Sequence, residues 1–300
     1  MSCTSPRLAI FKGISEDGKK LMSFKMSDTF DSYDLAVAKY GRDNVFLLPC
    51  GKCEACKITK RRDWALRCAC EAKYHLNNCF VTLTYDNVHL PKSLSKKHFQ
   101  EFIHSLRGLG YKVRYFGCGE LSPALRPHYH ICLFGYIPED LKYIGKSKSG
   151  MAMFESEELS KIWNKGFVVV NHFDPACAGY VAGYTTKKLG QEDGFILMSK
   201  KPGIGFNYAN EHMEKHLKYD VVMDSLGSIK KNHVPRYFDK LAEKYGVDLS
   251  LIKAKRNDKA HVALMDSVRH FNVKSVEDVF NPERERNQEK YKKLRRSFNG

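Results

Sequence analysis

The stretch Arg126–Gly135 constrains the fold of this chain more than any other, because its alternating pattern is typical of a strand. It reads Arg-Pro-His-Tyr-His-Ile-Cys-Leu-Phe-Gly. Successive side chains of a strand point to opposite faces, so His128 and His130 share one face and the apolar residues between and after them share the other. The apolar face suits a hydrophobic core. Two neutral imidazoles on one face can bind a divalent metal ion.

Two neighbouring segments predict an antiparallel sheet around this strand. Phe80–Tyr85 alternates and is rich in β-branched and aromatic residues, which is typical of a strand. Lys112–Gly119 forms another strand, and only a short turn separates it from the histidines. Strands joined by a short turn pair antiparallel, and this pairing can bring Glu120 close to His128. Glu120 is therefore a candidate third metal ligand, and the alternative is an acid in a solvent-exposed loop.

Helical patterns alternate with these strands. Ser95–Leu109 has an N-cap serine and one apolar face, which predicts a helix. The β-branched run Gly166–Phe173 predicts a further strand. Asp174 and Pro175 then provide an N-cap and a first helical residue. The order of elements predicts an α+β fold, in which a central antiparallel sheet forms a ferredoxin-like palm.

The net charge predicts a polyanionic partner. The chain has 50 Lys and Arg against 34 Asp and Glu, a formal charge of +16. Nucleic acid is the simplest partner for such an excess, and an anionic membrane surface is the weaker alternative. Basic residues open a helix predicted over Lys57–Leu76 and also precede the histidine strand. The candidates for phosphate contact, whose alternative is a solvated helix face, are Lys57, Lys60, Arg61, Arg62, Arg67 and Arg126.

Other classes are disfavoured by what the sequence lacks. No run approaches 18 apolar residues, so we expect no membrane span. The N-terminus has no apolar signal region, so we expect no secretion. Ten cysteines without a signal indicate reduced thiols or metal ligands rather than disulfides.

Three of these cysteines have metal-ligand spacing. Cys50, Cys53 and Cys56 form a C-x2-C-x2-C motif, which is close enough to bind one soft metal ion. Zinc needs a fourth ligand, for which Cys3 is preferred and Cys68 or Cys70 are alternatives. Reduced thiols at a turn, or an iron–sulfur cluster, are the competing interpretations.

Two tyrosines form the last candidate group. Tyr180 and Tyr184 are spaced i,i+4 in the predicted helix and therefore share one face, with Lys187 about one turn further on. An aromatic core stripe is the alternative, although hydroxyl groups and a lysine tend to seek polar partners. His212 and His216 have the same spacing in a later predicted helix, and we expect them on the surface.

The ordered set of these motifs resembles the HUH endonucleases, the initiators of rolling-circle replication. The match is nearest to the initiators of microviruses, especially the gokushovirus branch, and covers roughly residues 1–190. The resemblance implies that His128, His130 and Glu120 bind Mg²⁺ or Mn²⁺, that Tyr180 and Tyr184 are nucleophiles, and that Lys187 is an accessory cation. It also implies a product with a 5′-phosphotyrosine and a free 3′-hydroxyl group.

These observations predict a replication initiator that nicks and rejoins single-stranded DNA at an origin. We expect three parts: an N-terminal segment with the cysteines (1–56), an HUH endonuclease domain (57–200) and a helical basic C-terminal region (201–300). Expected partners are the origin and the host helicase and polymerase, in the cytoplasm of a bacterial host, with no membrane and no small-molecule substrate. The alternatives are a non-catalytic basic DNA-binding or packaging protein and a single-strand transposase of the HUH class.

Overall fold

The structure is a computed structural model, and it describes most of the chain. The described residues are 3–18, 20–24, 33–122, 124–147, 150–187, 194–223, 231–273, 276–282, 284–286 and 289. The side chains of 184–187, 223, 231, 232 and 277 are not among them. The chain divides into two compact units, Met1–Thr59 with Ser250–Asn299, and Lys60–Leu249. These limits differ from the three predicted ranges, since 201–249 groups with the histidine strand and the later residues group with the N-terminus.

The first unit is built on a three-stranded antiparallel sheet in the order β2-β1-β3. Its strands are β1 (Arg7–Ile14), β2 (Lys20–Phe24) and β3 (Val45–Leu48). Its helices are α1 (Tyr33–Tyr40) and α9 (Ser250–Phe271), with short 3-10 turns at Arg42–Asn44 and Glu277–Val279. Apolar residues of β1, α1, β3 and the segment after α9 form its core, and α9 packs partly buried side chains against that core.

The second unit contains a seven-stranded sheet in the order β10-β5-β6-β4-β9-β8-β7, and its pairs are antiparallel. Its strands are β4 (Asn78–Thr84), β5 (Arg114–Leu121), β6 (Pro127–Phe134), β7 (Lys142–Lys146), β8 (Ala152–Glu155), β9 (Val168–His172) and β10 (Phe195–Met198), followed by a separate pair β11 (Val222–Met223) and β12 (Lys231–Asn232). The helices are α2 (Glu54–Ala72), which spans the division between the units, α3 (Lys96–Gly108), α4 (Glu157–Trp163), α5 (Pro175–Lys187), α6 (Phe206–Glu211), α7 (Met213–Tyr219) and α8 (Arg236–Lys244). The predicted α+β class with a central antiparallel sheet is confirmed.

One face of this sheet packs against helices α3 and α4. The side chains of Tyr129, Ile131 and Leu133 from β6 are fully buried in this layer. Helix α3 begins where the sequence predicted, because the Ser95 hydroxyl accepts a hydrogen bond from the His98 amide. The apolar side of the histidine strand is therefore core, as its alternation indicated.

The glycines of β5 make room on this face. A Cβ atom at Gly119 would lie 2.7 Å from the Phe195 ring and 3.0 Å from the Tyr129 ring. A Cβ atom at Gly117 would lie 2.8 Å from the backbone oxygen of His130. The alternation that directs these glycines to the crowded aromatic layer directs Glu120 to the opposite face.

The opposite face of the sheet packs against helices α2 and α5. Its buried residues include Phe116, Cys118, Cys132 and Phe134 from the strands, and Ala178, Val181 and Ala182 from α5. Helix α5 begins at Pro175, and the Asp174 carboxylate accepts a hydrogen bond from the Ala176 amide, as the sequence predicted. This layer determines where α5 lies relative to the histidines.

A buried ionic cluster joins α2 to the start of β5. The Glu71 carboxylate, which is 3% exposed, accepts hydrogen bonds from Arg114, from His75 and from the Gly205 amide. Burial raises the pKa of Glu71, but these hydrogen bonds outweigh burial and leave the pKa below its usual value. The carboxylate is therefore ionised and contributes to the fold through three partners.

Helices α6 to α8 form a further cluster with the end of α2, around Tyr208, Phe238 and Leu241. His216 lies here with 6% exposure, so the expectation that it is a surface residue is wrong, whereas His212 is half-buried. The error arose because i,i+4 spacing does not reveal which helical face packs inward. Among the described helices, none has the length and apolar composition needed to cross a bilayer.

Candidate functional site

The register of three strands places Glu120, His128 and His130 on one face of the sheet. Glu120 of β5 is directly opposite His128 of β6. On the other side of β6, the strand β4 places Thr82 opposite His130. These residues lie on the same face as the layer that packs against α5, at one end of the strands. The sheet itself therefore brings the three predicted ligands together.

The distances within this group are short. Glu120 Oε1 lies 2.8 Å from His128 Nε2 and 3.2 Å from His130 Nε2. The three side chains are only 12%, 16% and 10% exposed, in the order Glu120, His128, His130. Burial raises the pKa of Glu120, but hydrogen bonds with the two histidines outweigh burial and leave the pKa below its usual value. The carboxylate is therefore ionised and points at two ring nitrogens.

The second nitrogen of each ring is oriented by a neighbour. His128 Nδ1 lies 3.2 Å from the backbone oxygen of Arg126. A carbonyl oxygen can only accept, so this nitrogen donates its hydrogen, and in a neutral ring the lone pair of Nε2 then faces Glu120. His130 Nδ1 lies 3.0 Å from the Thr82 hydroxyl. A lone pair facing a carboxylate is repulsive unless a proton or a cation lies between them.

These atoms fit a divalent cation. Adjacent ligands about 2.1 Å from an octahedral ion are about 3.0 Å apart, which matches both separations from Glu120 Oε1. All three ligand atoms lie within 4.8 Å of one another. Two imidazoles and a carboxylate suit Mn²⁺ well, and Mg²⁺ prefers oxygen ligands. The group can therefore hold one metal ion, with positions left for other ligands.

Tyr180 brings a hydroxyl group to this cluster from helix α5. Its Oη atom lies 3.5 Å from Glu120 Oε1 and 3.5 Å from His130 Nε2. Its ring meets the His130 ring edge to face at 5.0 Å, and the Phe80 ring stacks on His130 at 5.7 Å. The neighbouring residues Cys177, Ala178, Val181 and Ala182 are buried against the sheet. Packing of α5 therefore holds the tyrosine at the cluster.

Arg61 of α2 supports the same turn of α5. Its Nε atom donates to the Gly179 carbonyl oxygen at 3.2 Å. A Cβ atom at Gly183 would lie 3.3 Å from that Nε atom, so the glycine lets the guanidinium approach the helix closely. Arg61 was predicted as a DNA contact, and here it contacts the helix that carries Tyr180.

Tyr184 and Lys187, the other two predicted catalytic residues, have side chains outside the described part of the structure. The backbone of α5 reaches Lys187, so position 184 follows position 180 by one helical turn.

The remaining basic candidates divide into two groups. Arg67 lies between two rings, 4.0 Å from the Trp64 centroid and 4.1 Å from the Tyr237 centroid, and donates to the Ile204 carbonyl oxygen. Arg126 donates to Asn87 and to the Tyr85 carbonyl oxygen, and Lys57 pairs with Glu54 at 2.8 Å. Lys60 and Arg62 are exposed. The charge pattern alone did not distinguish residues that stabilise the fold from those available to a phosphate.

The N-terminal unit contains a second group of possible metal ligands. The Sγ atoms of Cys3, Cys50, Cys53 and Cys56 all lie within 4.8 Å of one another. Two of these separations are 3.7 and 4.0 Å. Four thiolates about 2.3 Å from a tetrahedral zinc ion would be about 3.8 Å apart. Cys68 and Cys70, the alternative fourth ligands, lie in hydrophobic clusters instead.

Backbone amides support negative charge on these sulfur atoms. The amides of Lys52 and Cys53 donate to Cys50 Sγ at 3.4 and 3.3 Å, and the Cys50 amide donates to Cys3 Sγ at 3.3 Å. Burial raises the pKa of Cys53, but hydrogen bonds from the backbone around Cys56 and Thr4 outweigh burial and lower it to about 6. A thiolate is the form that binds metal.

Comparisons with known proteins identify the family. A model of the replication-associated protein family named for ORF2 matches residues 78–189, the range that contains both the metal-ligand group and Tyr180. The replication-associated protein ORF2 of Spiroplasma virus 4 is 35% identical over 249 residues, which cover 73% of this chain and 77% of that protein. The chain belongs to the ORF2 family of replication-associated proteins.

Two further replication-associated proteins are similar to the chain. The replication-associated protein VP4 of Bdellovibrio phage phiMH2K is 31% identical over 211 residues, 64% of this chain and 66% of that protein. The replication-associated protein ORF4 of Chlamydia phage 1 is 30% identical over 220 residues, 66% of this chain and 54% of that protein. No solved structure matches the chain. The predicted family, the replication proteins of microvirus-like single-stranded-DNA phages, is confirmed.

Proposed function

We propose that this replication-associated protein initiates rolling-circle replication by nicking single-stranded DNA at an origin, with Tyr180 as the nucleophile. The observation that carries the proposal is the position of the Tyr180 hydroxyl, 3.5 Å from two members of a three-ligand group that fits a divalent cation. A hydroxyl group beside a metal site has the position needed to attack a phosphodiester that the metal orients.

In the proposed reaction, Tyr180 Oη attacks phosphorus in line with the bond to the 3′ oxygen. A bond between the tyrosine oxygen and phosphorus forms, the bond to the 3′ oxygen breaks, and that oxygen gains a proton as the phenol loses one. The products are a 5′-phosphotyrosine and a free 3′-hydroxyl group. One phosphate ester replaces another, so the later attack of a 3′-hydroxyl group can restore the DNA without ATP.

Each neighbouring residue has a role in this reaction. Glu120, His128 and His130 would hold a Mg²⁺ or Mn²⁺ ion, which neutralises charge on a non-bridging phosphate oxygen. Thr82 and the Arg126 carbonyl oxygen keep the Nε2 atoms of the histidines directed at the site. Phe80 and Tyr180 enclose His130, which limits the access of water.

The proposal assigns Tyr184 to a second cleavage and Lys187 to charge stabilisation near the phosphate. Both assignments rest on the resemblance and on the spacing along α5. After the first cut one tyrosine holds the 5′ end, and a second nucleophile one turn away can attack the regenerated origin. The released 3′-hydroxyl group then closes the circle on the first phosphotyrosine.

The same proposal gives the four cysteines a structural zinc ion. The sulfur separations and the amide hydrogen bonds support it. We expect elemental analysis to find one zinc per chain, and Cys56→Ser to lose it and to melt at a lower temperature. Cys79→Ser is the matched control, because Cys79 is buried in the sheet core and far in sequence from the motif. Zinc-free protein with an unchanged melting temperature would exclude this ion.

Mass spectrometry of the intact protein tests the nicking reaction. The protein is incubated with Mn²⁺ and a pool of single-stranded oligonucleotides that tile the genome encoding it. We expect a mass increase that equals a DNA fragment, lost in Tyr180→Phe combined with Tyr184→Phe and in His130→Ala. Tyr143→Phe is the control, since Tyr143 is an exposed tyrosine of the edge strand β7.

The alternatives predict other results. A non-catalytic DNA-binding or packaging protein would bind the pool without any adduct. A single-strand transposase would form adducts at the ends of a mobile element rather than at one site of the replicating genome. The proposed partners are single-stranded DNA, the origin and the host helicase and polymerase, and the proposed location is the cytoplasm of the bacterial host.

A further inference from the structure

A cleft beside helices α6 and α7 has features that the nicking reaction does not use. Its volume is about 500 Å³, which is within the range of about 300–1,000 Å³ found for ligand pockets. The lining residues are Lys73, Tyr208, His212, Lys215, His216, Tyr219 and Val221. None of them belongs to the metal-ligand group around Glu120.

The wall of this cleft is a set of flat rings. The rings of Tyr208 and His212 stack at 4.3 Å with an angle of 9° between their planes. His216 stacks on Phe238 at 5.5 Å, with 15° between the planes, and lies 6.3 Å from His212. The Tyr219 side chain is 62% exposed at the rim. Such surfaces bind nucleic-acid bases by stacking, with little dependence on sequence.

Both charged residues that line the cleft are lysines. Lys73 and Lys215 are exposed, and Lys73 Nζ lies 4.3 Å from the centroid of the Tyr208 ring. The nearby acid Glu211 accepts a hydrogen bond from the Tyr74 hydroxyl. Lysines beside aromatic rings suit a ligand that combines an anionic group with a planar ring.

A buried polar atom also points to a ligand. His216 Nε2 is buried and has no hydrogen-bond partner among the described residues, although the residue is only 6% exposed and lines the cleft. Burial, with a smaller effect of His212, lowers the pKa of His216 to about 4, so the ring is neutral. A neutral imidazole nitrogen without a partner costs free energy that a base edge can recover by hydrogen bonding.

We propose that this cleft binds a nucleotide of single-stranded DNA, with its base against the aromatic wall and its phosphates at Lys73 and Lys215. The inference rests on the proposed function only in that the ligand is DNA. A nicking enzyme must also hold the strand away from the scissile phosphate, and this cleft provides such a position. Binding here does not require cleavage.

The first test measures affinity by fluorescence anisotropy with a labelled 20-nucleotide single strand of mixed sequence. Wild type and Tyr180→Phe serve as parents, so a failure of nicking leaves this measurement intact. We expect Tyr219→Ala to bind about 5- to 150-fold more weakly, the range for loss of one stacked base. We expect Lys73→Ala with Lys215→Ala to reduce the slope of log K against log salt by about 1.4, or 0.7 for each phosphate contact.

The matched controls are Lys142→Ala and Tyr143→Ala, two exposed residues of β7 outside the cleft. All the substituted lysines and tyrosines are exposed, so folding should be retained, and thermal melting checks this. Equal weakening in cleft and control variants would overturn the proposal, because it would indicate diffuse electrostatic attraction. Unchanged affinity and salt slope in the cleft variants would also overturn it.

The second test locates the bound strand. Photo-cross-linking with a strand that contains 5-bromodeoxyuridine, followed by peptide mapping, should label Tyr219 or His212. Labelling confined to other regions would overturn the inference. A competition arm uses deoxynucleoside monophosphates: stronger binding of a free nucleotide than of the strand would assign the cleft to a mononucleotide and overturn the assignment to DNA.

Discussion

Replacing Thr82 by valine should weaken metal binding without unfolding the protein. The Thr82 hydroxyl lies 3.0 Å from His130 Nδ1, and Thr82 is directly opposite His130 in the sheet. Valine keeps the β-branched shape that suits a strand but cannot hydrogen-bond to the ring. The free Nδ1 atom then no longer fixes which nitrogen faces Glu120.

The size of the effect follows from the other contacts of the ring. Loss of a hydrogen bond behind a metal ligand typically costs 10- to 100-fold in metal affinity, or about 1.4–2.7 kcal/mol. The His130 ring also stacks on Phe80 with parallel planes and meets the edge of Tyr180. These contacts keep the plane of the ring in place after the substitution. We therefore expect a loss near 10-fold, at the lower end of that range.

The assay is titration of Mn²⁺ followed by electron paramagnetic resonance of the free ion, which needs no DNA and no activity. If nicking occurs, its rate at saturating Mn²⁺ should largely recover, because the defect lies in affinity. Thr84→Val is the matched control: it is two residues along the same strand, and its hydroxyl donates to the Phe167 carbonyl oxygen. Wild-type Mn²⁺ affinity in Thr82→Val, or equal weakening in both variants, would refute the reasoning.

Three further predictions concern stability. Gly119→Ala should destabilise the fold by about 1–3 kcal/mol in urea unfolding, because its Cβ would overlap the aromatic layer, whereas Gly108→Ala, with no described atom within 4 Å, should not. Arg67→Met should cost about 2–4 kcal/mol, since two ring contacts and a hydrogen bond to a backbone oxygen are lost, and it should leave the salt dependence of DNA binding unchanged. The folded-state pKa of Glu71 is below its usual 4.5, so its contribution to stability should be complete above that pH and be lost as the pH falls through the folded-state pKa. Glu71→Gln should be less stable at neutral pH and show a smaller loss of melting temperature on acidification; an unchanged acid profile would contradict this.

The sheet around the histidines was predictable because its information is local. Period-two alternation assigned His128 to one face of a strand, and a short turn implied that Glu120 lies across from it. The N-cap signals at Ser95 and Asp174 likewise depend on a few adjacent residues, and both helices begin there. Thr82 was missed, although the same alternation in β4 would have placed it beside His130.

Other features depend on contacts distant in sequence, which a single chain of letters does not reveal. Arg67 and Arg126 look like DNA contacts by charge, but their partners come from loops and strands far along the chain. The edge strands β7, β8 and β10 have little periodicity of their own and are stabilised by their neighbours. The approach of Tyr180 to His130 depends on the packing of a whole helix layer, and the family resemblance rather than spacing pointed to it.

The pairing of β5 with β6 also restricts how relatives of this protein can vary. Leu121 pairs with Pro127, so five residues connect the two ligand-bearing strands. Inserting one residue there and shifting the register by one would turn the carboxylate to the opposite side of the sheet. A shift by two would keep the side but move the carboxylate about 7 Å along the strand, beyond reach of both imidazoles. The length of this connection is therefore a simple criterion for sorting uncharacterised phage sequences: those that depart from five residues should either carry a compensating bulge or take their acidic ligand from elsewhere.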